Sequence, residues 1–301
     1  MTAPWTKVRA GVLRLAAAAA VLAALSGPAQ AQDSPVALQG EAVQGGLMLG
    51  RTVPGAVVLH DGKPVEVAAD GRFIVGFARR AGPRSRLAVT LPEGRSLEIP
   101  LEVAQRQYQV QRIDELPEAQ VSPGPEALAR IRREAALIKA ARARRSETPL
   151  FESPFEWPVV GVITGVYGSR RILNGEPRAP HLGLDIAADS GAPVRAPTEG
   201  VVALVHDDMF FTGKTVIIDH GHGLTSVYAH MSEILVEESD AVERGAPIGA
   251  VGASGRATGP HLHWGVHLKG VGLDPALLAG AMPAPEQAGD EARGRVSAPR
   301  P

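Results

Sequence analysis

Gly259-Pro260-His261-Leu262-His263-Trp264-Gly265-Val266-His267-Leu268 sets a large apolar side chain at every second position of its last eight residues. Successive side chains of a strand point to opposite faces, so His261 and His263 share one face here. On a helix they would stand about 200° apart. The alternation through Trp264, Val266 and Leu268 selects the strand. A second stretch, His181-Leu182-Gly183-Leu184-Asp185, also places its ionisable ends on one face when extended, and Gly183 leaves room for close approach. Imidazole and carboxylate are the usual protein ligands of a hydrolytic Zn²⁺, and three of them leave a fourth position open for water. The two stretches together permit three ligands and one additional imidazole.

Around these stretches, residues 157 to 278 read as strands: Val159–Ile163, Val201–Val205, Thr215–Asp219, Leu224–Tyr228 and Ile248–Val251, with glycine in nearly every connection. No long helical period interrupts them, which predicts an all-β fold with an antiparallel sheet over 151–280. Residues 36–110 consist of short apolar runs separated by Pro54-Gly55, Asp61-Gly62, Asp70-Gly71, Gly82-Pro83 and Glu93-Gly94. That spacing suits a small β-sandwich domain, with some similarity to bacterial immunoglobulin-like modules. Between the two, residues 122–147 carry Leu128, Ile131, Ala135 and Ile138 at helical spacing, with Ser122 as candidate N-cap. They read as a solvated linker helix rich in arginine.

The ends have another character. Lys7, Arg9 and Arg14 accompany an apolar run from Leu13 to Leu25, and Ala29-Gln30-Ala31 is a small-x-small site. This is the pattern of a signal peptide over 1–31, cleaved after Ala31. The run is shorter than the roughly 20 residues of a membrane span, so a periplasmic or secreted protein without stable membrane insertion is expected. The sequence has no cysteine, hence neither a lipid-attachment thiol nor disulfides. Residues 281–301 have little to bury and read as a disordered tail. A net charge of −1 gives no electrostatic basis for nucleic acid as a partner.

Eight of the nine histidines lie between 181 and 267. The ordered set Ser169–Gly175, His181-Leu182-Gly183-Leu184-Asp185, Gly191–Ala196, Asp219-His220-Gly221-His222-Gly223, Tyr228-Ala229-His230-Met231 and Gly259-Pro260-His261-Leu262-His263 resembles the lysostaphin/LytM-type zinc endopeptidases over residues 154 to 279. The resemblance implies that His181, Asp185 and His263 hold one Zn²⁺ per chain. It further implies that His230 and His261 are catalytic histidines outside the ligand set, one as base and one as stabiliser of the tetrahedral intermediate, with roles that can be exchanged. The implied substrate is peptidoglycan: peptide cross-links or stem peptides.

The remaining candidates carry weaker signals. His220 and His222 lie in a glycine-rich turn, His206 adjoins Asp207 and Asp208, and His267 ends the strand; all four read as structural or solvated. Arg170, Arg171, Arg178 and the loop Met209-Phe210-Phe211 are candidate cleft walls, Arg171 meeting either a substrate carboxylate or a structural partner. Asn174 is a candidate to cover the open metal position in a latent form. A regulatory partner acting through the first domain fits such latency. The competing class is a non-catalytic regulator that activates cell-wall amidases, but it predicts gaps in the metal set. All five positions match here.

Overall fold

The computed structural model describes residues 34–284 apart from 116, 118–120, 145, 152 and 153. The expected signal peptide over 1–31 and the tail from 285 onward lie outside the described residues. The chain begins with β1 (Val36–Gln39), β2 (Leu47–Thr52), β3 (Val57–His60), β4 (Lys63–Val65), β5 (Arg72–Gly76), β6 (Arg84–Thr90) and β7 (Ser96–Glu102). They form two antiparallel sheets, in the orders β1-β2-β5 and β4-β3-β6-β7. Met48, Phe73 and Val75 of the first sheet meet Val58, Leu87 and Val89 of the second in one core.

The opposite face of the three-stranded sheet is covered as well. Ile74, with Leu47 and Leu49, packs into the core of the C-terminal half against residues such as Leu268 and Leu273. A sheet buried on both faces has no solvent side to make polar. This explains why Phe73-Ile74-Val75 is an unbroken apolar run and why all three residues are buried.

The chain then enters the C-terminal half earlier than its composition suggests. β8 (Val110–Ile113) pairs in parallel with β10 (Arg170–Leu173), setting Gln111 opposite Arg171, and β10 forms a hairpin with β11 (Glu176–Pro177). Strand β8 starts at 110, where the expected first domain ends, and pairs with the later residues. A four-residue strand whose partner is some sixty residues away has no local periodicity to reveal it.

Between them, α1 runs from Pro125 to Ala143, inside the expected 122–147. Gly124, not Ser122, occupies the N-cap. Only part of the expected stripe is its packed face: Leu128 and Ala135 are exposed, while Ile138, with Ala141, packs on Ala203, Leu204, Met209, Ile217 and Val227. Glu134 shares this buried face. Its carboxylate accepts hydrogen bonds from Arg130 Nε at 2.6 Å and the Phe210 N–H at 2.9 Å, and a polar group so satisfied can be buried. The linker helix thus packs one edge on the sheet, through Glu134, Ile138 and Ala141, and leaves most of its residues exposed.

The main sheet has eight strands: β9 (Val162–Gly165), β12 (Leu184–Ala187), β14 (Gly200–Met209), β15 (Gly213–Asp219), β16 (Leu224–Met231), β18 (Ala241–Val242), β20 (His261–Leu268) and β21 (Val271–Leu273). Its order is β18-β14-β15-β16-β20-β12-β9, with β21 on β20, and its pairings are antiparallel. A small sheet of β13 (Pro193–Arg195), β19 (Pro247–Ala250) and β17 (Glu233–Ile234) contributes Val194 and Ile248 to the same core as Leu184, Ile186, Leu262, Trp264 and Val266. A short α2 (Pro275–Ala279) follows, capped by Asp274 Oδ1 accepting from the Ala276 N–H. The fold is all-β in class. Among the described residues, no helix is long and apolar enough to cross a membrane.

Candidate metal centre and catalytic cleft

Pairing of β12 with β20 assembles the centre. Leu184 faces Trp264 and Ile186 faces Leu262 on the core side, so Asp185 stands directly opposite His263 on the other side, and Ala187 opposite His261. His181 lies just before β12, its backbone held by hydrogen bonds to Ser169 O (2.9 Å) and from the Gly168 N–H (2.7 Å). The three side chains converge: His181 Nε2 is 3.0 Å from His263 Nδ1, His263 Nδ1 is 2.8 Å from Asp185 Oδ1, and His181 Nε2 is 3.1 Å from Asp185 Oδ1. Gly183 is required for this approach. A Cβ there would sit 2.9 Å from His263 Nε2 and 2.6 Å from the Trp264 carbonyl oxygen.

This donor set fits a small divalent ion. A tetrahedral ion with bonds of about 2.0–2.1 Å spaces its ligand atoms about 3.3 Å apart, and the triangle of two imidazole nitrogens and one carboxylate oxygen is close to that size. Burial holds His181 down to about 4, outweighing its hydrogen bond to Asp185, so its imidazole is neutral, the form that binds metal. Burial alone would raise the Asp185 carboxyl. The hydrogen bonds with His181 and His263 override it and keep the group ionised, well below the usual carboxylate range. The other carboxylate oxygen, Oδ2, accepts from Arg171 at 2.7 Å, and Arg171 Nε donates to Gln111 Oε1 at 3.2 Å. Of the two readings of Arg171, the structure shows the structural partner. His181 Nδ1 is buried with no hydrogen-bond partner among the described residues.

His230 reaches the cleft by a different route. Ala229 is opposite His263 on the site face, so regular alternation would turn His230 into the core. The β15–β16 register shifts between Lys214 and Val216, and His230 adopts φ +64°, which redirects its ring. The His230 and His261 rings lie 4.6 Å apart. One loop orients both: His230 Nδ1–H donates to Ser254 O and His261 Nδ1–H to Gly259 O, each at 2.8 Å. With Nδ1 protonated in both rings, each Nε2 carries a lone pair. Neither Nε2 has a hydrogen-bond partner among the described residues. Burial first, then the neighbouring His263 imidazole, pushes His230 down to about 3, keeping it neutral.

Asp185, His230 and His261 line a cleft of about 370 Å³ whose walls include Gln111 and Ile113 from β8, Thr164 from β9, Arg171 from β10 and Arg256–Pro260 from the loop before β20. The other expected wall residues are placed differently. Met209 is buried under α1, and Arg170 and Arg178 are not among the lining residues. Asn174 forms the β10–β11 turn at φ +47° and does not line the cleft either. Gln111, Thr164 and Arg256 were not legible as site residues. Two lie on strands without a chemical motif, and only the glycine-rich setting of Ser254-Gly255-Arg256 marks the third.

Of the remaining histidines, His220, His222 and His206 have structural partners, whereas Nδ1 of the buried His267 has no hydrogen-bond partner among the described residues. His220 is fully buried, donating Nδ1–H to Glu199 O and pairing Nε2 with Ser226 Oγ, each at 2.7 Å. His222 Nε2 meets Glu147 O at 3.1 Å, and His206 Nδ1 accepts from the Asp208 N–H.

Residues 179–275 match the model of peptidase family M23. A crystal structure of a Pseudomonas aeruginosa protein designated an M23 peptidase is 34% identical, covers 80% of this chain and 96% of its own, and superposes with a TM-score of 0.61. The chain belongs to peptidase family M23. Among curated M23 relatives, the DD-carboxypeptidase/endopeptidase Mpg of Neisseria meningitidis is 40% identical over 106 residues, and the peptidoglycan DD-endopeptidase ShyA of Vibrio cholerae is 41% identical over 92. The alignments take in 35% and 31% of this chain but only 24% and 21% of those proteins, so the chain spans about a quarter of the curated relatives it matches. The M23 match holds all five histidine and aspartate positions. Gln111, Ile113, Thr164 and Arg171 lie outside it, so part of the cleft is built from residues that precede the family segment.

Proposed function

We propose that this M23 protein is an exported, zinc-dependent endopeptidase that hydrolyses cross-links or stem peptides of peptidoglycan. The observation that carries the proposal is the meeting of His181 Nε2, Asp185 Oδ1 and His263 Nδ1 within 3.1 Å of one another, beside two further imidazoles in one cleft. The names of the Neisseria and Vibrio relatives support the substrate class. Export rests on the pattern of residues 1–31.

Each residue has a task in this reading. His181, Asp185 and His263 would hold the ion, with Arg171 engaging Asp185 Oδ2 so that Oδ1 faces the two imidazoles. Zinc, when bound, supplies Lewis-acid polarisation of a carbonyl and of water. His261, fixed by Gly259 O, takes a proton from water at Nε2. His230, fixed by Ser254 O, is the second imidazole, 4.6 Å ring to ring from His261; the proton taken from water, shared between the two rings, is the one donated to the developing oxyanion, and the two roles can be exchanged. Thr164, Ala187, Thr258 and Gly259 help to line the cleft, whose volume of about 370 Å³ suits a short, flexible peptide.

The test is digestion of purified peptidoglycan sacculi by the mature protein, with fragments identified by mass. Soluble peptide-linked fragments are expected with zinc and should vanish with a chelator. Release that is unaffected by chelation, or none with zinc supplied, would overturn the proposal.

A further inference from the structure

Two of the three ligand residues are braced by chain that precedes the family segment 179–275. The first brace begins on β8. Its residues alternate in exposure, Val110 and Arg112 being exposed while Gln111 and Ile113 are half-buried at the cleft wall, the pattern of a strand with one covered face. Parallel pairing sets Gln111 opposite Arg171, and the Arg170 N–H donates to Gln109 O at 2.8 Å and the Asn174 N–H to Ile113 O at 2.9 Å, fastening both ends of the pair. Gln111 Oε1 accepts Arg171 Nε and leaves Nη2 to Asp185 Oδ2. A guanidinium is planar, so bonds from two of its nitrogens fix its orientation. The amide of Gln111 is neutral, so it orients Arg171 without competing with Asp185 for its charge.

The second brace begins on the loop after β5. Arg79 Nε donates to Gly168 O at 2.6 Å, and its guanidinium lies over the Tyr108 ring, 4.1 Å from the centroid. The Gly168 N–H donates in turn to His181 O at 2.7 Å. Gly168 has φ +81°, and a Cβ there would lie 2.1 Å from the Tyr108 ring, so Tyr108 closes the space over it.

We infer that the N-terminal half is part of the metal centre, with Gln111 and Arg79 as positioning residues that set its zinc affinity, Gln111 through Arg171 on Asp185 and Arg79 through Gly168 on His181. The inference rests on the zinc-site reading and extends it, because ligands already held in place lose less freedom when the ion binds. The family segment supplies the ligands, and the residues before it hold two of them.

Zinc affinity of the full chain, measured by competition with a chromogenic chelator, tests this without recourse to activity. Gln111→Met keeps the reach of the side chain and removes the acceptor; it should weaken zinc binding about 10- to 100-fold. Gln111→Glu, which retains an oxygen at the same reach, should keep most of the affinity. In an Arg171→Met background, Gln111→Met should change the affinity by less than about twofold, because the path it acts through is gone. Arg79→Met should also weaken binding, and Arg79→Lys, still able to donate to Gly168 O, should retain part of what is lost. Arg112→Met, on the exposed side of β8, should bind zinc as the parent does. The inference is overturned by unchanged affinity in Gln111→Met or Arg79→Met, by equal loss in the two variants at either position, by a loss of the same size in Arg112→Met, or by an undiminished effect of Gln111→Met in the Arg171→Met background, which would reduce Gln111 to packing in β8. Each of these results leaves the zinc-site reading standing, whereas a parent chain that binds no zinc would overturn both.

Discussion

Gly183→Ala isolates the steric condition on which the metal centre depends. The substitution adds one methyl group at a position whose φ is not in the left-handed region, so backbone strain does not enter. The new Cβ would lie 2.6 Å from the Trp264 carbonyl oxygen and 2.8 and 2.9 Å from His263 Cε1 and Nε2, at least about half an ångström inside ordinary contact. The carbonyl belongs to β20 and is fixed by its pairings on both sides, so the imidazole must yield. His263 presents Nδ1 to the ligand triangle, and metal–ligand distances tolerate only about ±0.2 Å. A displacement of this size should weaken zinc binding by about 10- to 100-fold, the usual cost of disturbing a ligand's support. Competition with a chromogenic chelator measures it. Gly82→Ala, where a Cβ meets nothing within 4 Å, should bind zinc as the parent does. An affinity for Gly183→Ala within about twofold of the parent would refute the claim that this glycine sets the His263 position.

Other consequences concern the fold. Ile74→Ala removes a side chain that is 3% exposed at the junction of the two halves; it should cost about 2–5 kcal/mol in denaturant unfolding, and a loss below about 1 kcal/mol would contradict the two-sided burial of the β1-β2-β5 sheet. Burial pushes His220 down to about 4, its backbone hydrogen bond notwithstanding. Because the unfolded chain then binds a proton that the folded chain refuses, its contribution is whole above about pH 6.5 and is lost as pH falls toward 4, on the order of 3 kcal/mol. The slope of unfolding free energy between those pH values, measured with chelator present, should be shallower in His220→Gln than in the parent. Equal slopes would show that His220 is not held neutral.

Legibility varied with the distance over which each signal acts. Alternation along His261–Leu268 was enough to place His261 and His263 on one face, and the structure puts Asp185 opposite His263 by simple strand pairing. His230 was not derivable that way. Its parity points into the core, and only the bulge at φ +64° turns it toward the cleft, so the resemblance to related sequences was needed to single it out. Helical spacing located α1 and its packed Ile138 but not the burial of Glu134, whose satisfied carboxylate lies inside while Leu128 and Ala135 are exposed. β8 escaped notice because its identity as a strand depends on β10. That omission mattered most for the site, for it hid Gln111, which holds Arg171 and, through it, steadies Asp185.

The central claim is that β20 carries two histidines with different duties, a ligand and a catalytic group, two residues apart. Its most direct measurement is zinc content and sacculus-digesting activity in parallel for His263→Ala and His261→Ala. His263→Ala should lose both the metal and activity. His261→Ala should retain about one zinc per chain while turnover falls by about 10²-fold or more. Loss of zinc from His261→Ala, or full activity in it, would contradict the assignment.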